Sequence, residues 1–222
     1  MSADALHDED LPFAYRLLRP AGVADGAFVL LHGSGTDETT LIPLAREMAP
    51  EALLLAVRGR VPQDGGWRWF RRVTPTSFDQ DSIRIEAAAF ADFVTEVAAR
   101  HGLDLPNTVF LGYSNGANLI SSTMLLYPGL ISRAALLRPM PVLDAAPAAG
   151  LSGAEILVIA GEKDETYAPF APALVRLLRG CGAQVEAFAI AAGHEFDPED
   201  AEIARAWLAR LDGARGRRFA SR

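Results

Sequence analysis

The sequence predicts an α/β fold, a single domain on a mostly parallel central sheet of about seven strands with helices on both faces. Three observations carry this. Short runs rich in Leu, Val and Ile alternate with longer amphipathic segments from end to end, the order that yields parallel strands joined by right-handed crossovers. Several of these runs are apolar without a break, as strands are when neither face meets water. Finally, the 222 residues are half apolar and contain no Ser- or Pro-rich linker and no internal repeat, which suits one core of ordinary size.

Strands are expected at 13–18, 28–31, 53–57, 108–111, 134–137, 156–160 and 185–190. Between them, Ile83, Ala87, Phe90, Ala91, Val94, Val97 and Ala98 recur at helical spacing, which places them on one face of a helix. Segments 115–127, 169–181 and 198–211 read the same way. Pro128 with Gly129, and Gly180 with Gly182, supply breaks where helices stop. Residues 1–12, with Asp4, Asp8, Glu9 and Asp10, read as a flexible acidic leader, 13–212 as the folded domain and 213–222 as a flexible basic tail.

The formal net charge of −7 opposes nonspecific attraction to nucleic acid and to anionic membranes. The expected partner is therefore a small molecule, with no nucleic acid and no stable membrane insertion. No apolar run reaches the roughly 20 residues of a membrane-spanning helix, and the acidic start lacks the organisation of a secretory signal. The lone cysteine, Cys181, forms no intramolecular bridge and points to no oxidising compartment, so a cytoplasmic location is the default. A homodimer is compatible with the sequence but not specified by it.

Residues 108–118 read TVFLGYSNGAN, an apolar strand entering Gly112, Tyr113, Ser114, Asn115, Gly116 and then a helix. A sharp strand-to-helix turn crowds the backbone, and glycines two positions either side of the serine relieve the crowding while the hydroxyl is held outward. At a helix start the backbone N–H groups also face developing negative charge, so the N–H of Asn115 is the natural oxyanion donor. Chance supplies such a pentapeptide in a chain of this length with a probability of about 0.07, so the partners of Ser114 decide its role.

A serine hydroxyl needs a base within hydrogen-bond reach, and the base needs a carboxylate to orient it. Of the four histidines, His7 lies in the acidic leader, His101 ends a helix beside Gly102, and His32 belongs to a separate motif. His194 remains, in AAGHEF after the last expected strand, where such folds place their chemistry. The carboxylate is expected after the preceding strand, in GEKDE. There Asp164 is preferred to Glu162, which is nearer the strand, and to Glu165, which begins a solvated stretch. The resulting order of serine, acid and histidine fits one known arrangement of serine hydrolases.

The early segment FVLLHGSGTDETTL places His32, Gly33, Ser34 and Gly35 at the end of the second strand. Small residues here let backbone N–H groups approach a substrate oxygen, so the second oxyanion donor is assigned to the Ser34 main chain, with Gly35 as alternative. His32 reads as a loop-fixing side chain. The histidines show no metal-ligand spacing and the cysteine has no partner, so neither metal nor cofactor is expected.

Segment 65–81, GGWRWFRRVTPTSFDQD, is too long and irregular for a plain connector. Trp67, Trp69 and Phe70 are candidates for the wall of an acyl or aromatic pocket, and Arg58, Arg71 or Arg72 for a contact to a substrate carboxylate. The competing reading has the aromatics packing the loop onto the body and the arginines pairing with Asp79 and Asp81. A second candidate wall is RPMPVLDAAPAAG at 138–150. Neither stretch is long enough for a large cap domain, so a fairly open cleft is expected.

With these motifs together, the sequence resembles the phospholipase/carboxylesterase family of α/β-hydrolases, which includes acyl-protein thioesterases. The resemblance covers most of the chain and is carried by LLHGSGTDE at 30–38, GYSNGAN at 112–118, GEKDETYAP at 161–169 and AAGHEF at 191–196. It implies an α/β-hydrolase fold, a triad of Ser114, Asp164 and His194, and an oxyanion hole from the main-chain N–H groups of Ser34 and Asn115. Serine at 114 departs from the related dienelactone hydrolases, which use cysteine. The implied activity is cleavage of a carboxylic ester, or a thioester, of a small substrate through an acyl-enzyme on Ser114. Alternatives are a catalytically silent ligand-binding module on the same fold, or cofactor-free perhydrolysis or lactone hydrolysis. Family resemblance fixes chemistry more tightly than substrate.

Overall fold

The computed structural model describes Ala5, Leu6 and residues 10–63 and 65–215. Its strands are β1 (Ala5–Leu6), β2 (Tyr15–Leu18), β3 (Ala27–Leu31), β4 (Leu53–Val57), β5 (Val61–Gln63), β6 (Gly66–Arg68), β7 (Arg72–Thr74), β8 (Ser77–Phe78), β9 (Val109–Tyr113), β10 (Arg133–Leu137), β11 (Glu155–Gly161) and β12 (Gln184–Ile190). The helices are α1 (Ile42–Met48), α2 (Gln80–His101), α3 (Asn115–Leu126), α4 (Ala171–Gly180) and α5 (Pro198–Arg215). One eight-stranded sheet runs in the order β1-β2-β4-β3-β9-β10-β11-β12. From β4 to β12 neighbouring strands are parallel, and β1 and β2 add an antiparallel margin. The remaining short strands form two hairpins, β5 with β6 and β7 with β8.

The uninterrupted apolar runs become strands buried at every residue, as in LLLAV of β4 and VFLGY of β9. Successive side chains leave a strand on opposite faces, and here both faces are covered. Phe110 enters the core shared with α2, α3 and α4, whereas Val109 and Leu111 enter the core shared with α1 and α5. The apolar face expected for α2 is buried at all seven named positions. That helix starts where Asp79 accepts from the Ser82 N–H at 2.9 Å and stops at Gly102, whose φ of 71° is left-handed.

Several expectations are corrected. The leader is not wholly free, because Leu6 of β1 pairs with Tyr15 and Leu11 is buried; residues 1–4 and 7–9, including His7, lie outside the described residues. Residues 213–215, expected in the tail, continue α5, and residues 216–222 also lie outside the described residues. The first expected strand starts at Tyr15 rather than Phe13. Phe13 instead packs in the core, 5.2 Å from the Phe93 ring. Segment 65–81 is ordered into hairpins rather than irregular, and Gln63 ties them together. Its side-chain amide donates to the Arg72 carbonyl and accepts from the Arg72 N–H, both at 2.9 Å. Among the described residues, no helix is long and apolar enough to cross a membrane.

An aromatic cluster joins the sheet, α2 and the hairpin loop. Phe90 packs against Phe13, Trp69, Phe93 and Phe110 with ring centroids 5.8 to 6.4 Å apart. Deleting a buried phenylalanine side chain costs about 3–5 kcal/mol where the walls cannot collapse. Phe90→Ala is expected to lose that much in equilibrium denaturation; a loss below about 1 kcal/mol would show that the cluster is not part of the core.

Candidate active site

The parallel strands end level with one another. Leu31 of β3 pairs with Gly112 of β9, Tyr113 with Leu137 of β10, and Gly161 of β11 with Ile190 of β12. The loops carrying Ser34, Ser114, Asp164 and His194 therefore leave the same edge, as ligand-binding loops of open parallel sheets do.

The turn at Ser114 is set by contact between backbones. A Cβ on Gly116 would lie 2.1 Å from the Leu31 carbonyl oxygen, and one on Gly112 would lie 2.6 Å from the Ala117 nitrogen. Only glycine fits both places. Ser114 itself adopts φ 50° and ψ −112°, a conformation costing about 1–3 kcal/mol unless its surroundings fix it. Here its N–H donates to the Leu137 carbonyl at 2.8 Å, and its carbonyl accepts from the Asn118 N–H at 2.9 Å.

The structure brings the three expected side chains together. His194 Nε2 lies 3.0 Å from Ser114 Oγ, and His194 Nδ1 lies 2.6 Å from Asp164 Oδ2. With Nδ1–H donating to the carboxylate, Nε2 is left to accept from the serine hydroxyl. The other carboxylate oxygen of Asp164 accepts from the Tyr167 N–H at 3.0 Å. Asp164 is buried while Glu162 and Glu165 are exposed, which settles which acid meets the histidine. The two loops touch backbone to backbone: a Cβ on Gly161 would lie 2.1 Å from the Gly193 carbonyl oxygen, and the Lys163 N–H donates to the Ala192 carbonyl at 2.9 Å. Tyr113 donates its hydroxyl to the His194 carbonyl at 2.9 Å. Burial, then the nearby Glu195 charge, pushes the Tyr113 phenol up to about 12, so it stays a donor across ordinary pH.

His32 fixes the loop after β3, as its position implies. It is buried, accepts from the Gly59 N–H on Nε2 at 2.9 Å, and presents Nδ1 to the Gly33 carbonyl at 2.6 Å. Both bonds are satisfied by the neutral ring with its proton on Nδ1, and burial pushes its pKa below the usual histidine value. The Trp69 indole N–H donates to the His32 carbonyl at 2.9 Å, and the Trp69 backbone N–H donates to Asn115 Oδ1 at 2.8 Å. Gly35, the alternative to Ser34, already donates its N–H to the Trp67 carbonyl at 2.9 Å, and Ser34 borders the same cleft as Ser114.

Ser34, Ser114 and Asn115 line one shallow cleft, with Arg68, Arg72, Phe78, Met140 and Tyr167 among its other walls. The expected substrate-binding set is corrected here. Trp69 and Phe70 are fully buried and pack on Phe13, Phe90 and Phe78, because that much aromatic area is stabilised more in a core than at a wet wall. Trp67 lies beneath the Arg58 guanidinium, 4.7 Å from it, and faces a different groove. Arg71 is exposed beside Asp79 at 3.7 Å and does not line the cleft. Of the arginines considered, Arg72 does line it. Sequence reasoning missed Arg68, Phe78 and Tyr167; Tyr167 alone had a signal, three residues beyond Asp164 in GEKDETYAP. Among the described residues, no cluster of His, Cys, Asp or Glu is placed to hold a metal ion.

A mostly parallel sheet with serine on a glycine-flanked strand-to-helix turn, and acid and histidine on the loops after its last two strands, defines an α/β-hydrolase. No family model matches the chain. MhqD of Bacillus subtilis (strain 168), which is named as a hydrolase, is 32% identical over 187 residues, spanning 84% of this chain and 94% of MhqD. The crystal structure of a carboxylesterase from Mesorhizobium loti superposes with a TM-score of 0.91 at 57% identity, covering 94% of this chain and 99% of that one. A Bacillus cereus carboxylesterase superposes with a TM-score of 0.86 at 29% identity, covering 91% and 96%. The chain belongs to the phospholipase/carboxylesterase family of α/β-hydrolases and is by class a carboxylic ester hydrolase.

The buried neutral His32 links this loop to pH. The unfolded chain takes up a proton on this residue near about pH 6.5, while the folded chain resists it, so below that pH the unfolded state binds more protons. Stability present above the unfolded value is therefore lost as pH falls. His32→Gln is expected to flatten that acid-side slope in urea midpoints measured between about pH 5 and 8; a slope equal to that of the unsubstituted protein would show that His32 does not contribute.

Proposed function

We propose that this protein cleaves carboxylic esters of small substrates through an acyl-enzyme on Ser114. One observation carries the reading: the continuous hydrogen-bond chain from Asp164 Oδ2 through the His194 ring to Ser114 Oγ, at 2.6 and 3.0 Å, opening on the cleft. In this reading Ser114 Oγ attacks the ester carbonyl while His194 Nε2 takes its proton, and Asp164 stabilises the resulting imidazolium. The oxyanion is received by the main-chain N–H groups of Ser34 and Asn115, each such donor contributing about 10²–10³ in kcat. His194 then returns the proton to the leaving alcohol. A water molecule, deprotonated by the same imidazole, releases the acid and restores Ser114.

The strained backbone at Ser114 supports this role, because such conformations persist where the surroundings over-determine them for function. A complete relay also favours an enzyme over a silent binding module. The names of the relatives, two carboxylesterases and a hydrolase, agree with ester cleavage. A thioester of similar size would be attacked in the same way, since the chemistry is at the carbonyl carbon.

Ser114→Ala removes the nucleophile without altering the packed turn. It is expected to lower kcat on a short acyl ester by about 10⁴-fold or more with the denaturation midpoint unchanged, and to abolish covalent labelling by a fluorophosphonate. Turnover retained by the pure variant would sink the assignment.

A further inference from the structure

We infer that the buried pair Arg138–Asp200 is a positioning device for the histidine loop, holding His194 in register with Ser114 and Asp164. The inference rests on the reading of His194 as the base. Arg138 is the first residue after β10, the strand lying between the one that delivers Ser114 and the one that delivers Asp164. Its φ of 53° is left-handed, and among the described residues Ser114 is the one other non-glycine residue with positive φ. Its N–H donates to the Ile159 carbonyl at 2.7 Å. Its side chain is thereby launched from the sheet edge across to the histidine loop.

There the guanidinium makes four bonds. Its Nη1 and Nη2 donate to the two carboxylate oxygens of Asp200 at 2.7 and 2.9 Å, while Nε donates to the Gly193 carbonyl and Nη2 to the Glu195 carbonyl, both at 3.0 Å. A guanidinium has five N–H groups, so nearly all its capacity is spent on the loop rather than on a ligand in the cleft it borders. The carbonyl between these two, that of His194, accepts from Tyr113. Three consecutive carbonyls around the base are thus held by side chains from the ends of β9 and β10. The segment lies between β12 and α5 and has no strand or helix of its own to order it. Asp200, fully buried in the first turn of α5, also accepts from the Asp197 N–H at 2.9 Å, so the pair ties the helix start to the same point.

Stability alone does not account for this arrangement. Buried ion pairs are often replaceable by apolar residues with no loss of stability, whereas the planar fork reaching a carboxylate and two carbonyls together is a geometry that lysine cannot reproduce. Geometry, in contrast, has a steep effect on rate: displacing a reacting group by about 1 Å costs on the order of 10²-fold.

The test uses Arg138→Lys, which keeps a cation beside Asp200, and the double variant Arg138→Met with Asp200→Leu, which removes both buried charges. Fluorophosphonate titration counts reactive Ser114, and turnover of a short ester is expressed per titrated site. Both variants are expected to remain titratable while kcat per site falls about 10- to 100-fold and KM moves by less than about threefold. A purely structural role would lower the fraction of titratable protein and leave kcat per site unchanged. That outcome, in whichever variant folds, overturns the inference. Ser114→Ala run alongside separates the two readings: its continued turnover would sink the nucleophile assignment, whereas an inactive Ser114→Ala beside fully active Arg138 variants would sink the positioning role alone.

Discussion

Helix α3 enters so close to the end of β3 that a side chain on Gly116 would overlap the carbonyl oxygens of both Leu31 and His32. The geometry of the site depends on that contact. Because the helix starts against the strand end, the chain leaving β9 must reverse within one residue, and Ser114 takes the left-handed conformation that results. The same contact brings the first N–H of the helix beside the loop bearing Ser34. Asn115 then adds a side-chain bond to the Trp69 backbone, and Trp69 adds one to the His32 carbonyl. The helix, the hairpin loop and the loop after β3 are thus cross-braced through buried groups.

A similar device recurs on the other side of the nucleophile. Gly161 lets the acid loop lie directly on the Gly193 carbonyl, so Asp164 and His194 approach through their backbones before their side chains meet. Strand ends that are level in a parallel sheet make both contacts geometrically available. Strain of a few kcal/mol at Ser114 is tolerable because the strands on either side are buried on both faces. Local cost is concentrated where chemistry requires an unusual backbone, and the packed sheet supplies the offset.

The parts of this arrangement that were legible in the sequence are those with a local signature. Uninterrupted runs such as LLLAV, the helical spacing from Ile83 to Ala98, and the glycines around Ser114 each report a constraint acting on neighbouring residues. Strand order along the chain then pointed to His194 and to the GEKDE turn, where position within the turn favoured Asp164. Helix α1 was not legible because seven residues are too few to show a period, and the hairpins of 61–78 were hidden because strands of two or three residues have almost no alternation. The pairing of Arg138 with Asp200, 62 residues away, has no local signal at all. Only the closing of the sheet brings them together.

Trp69 and Phe70 show why composition misassigned the cleft wall. An aromatic-rich loop beside a site invites the idea of an apolar pocket, but the same rings gain more by joining Phe13, Phe78 and Phe90 than by facing water. With Trp69 and Phe70 turned inward, Arg68 and Arg72 border the cleft, and Gln63 holds the Arg72 backbone from the neighbouring strand. Two core residues, Trp69 and Phe70, thus sit between two that border the cleft, Arg68 and Arg72. The buried members set where the loop sits and, through Trp69's bonds to the His32 carbonyl and the Asn115 side chain, tie it to the loop after β3 and to the start of α3. The cleft-facing members border the space in front of Ser114, so that border can vary along this loop while the buried anchors stay fixed.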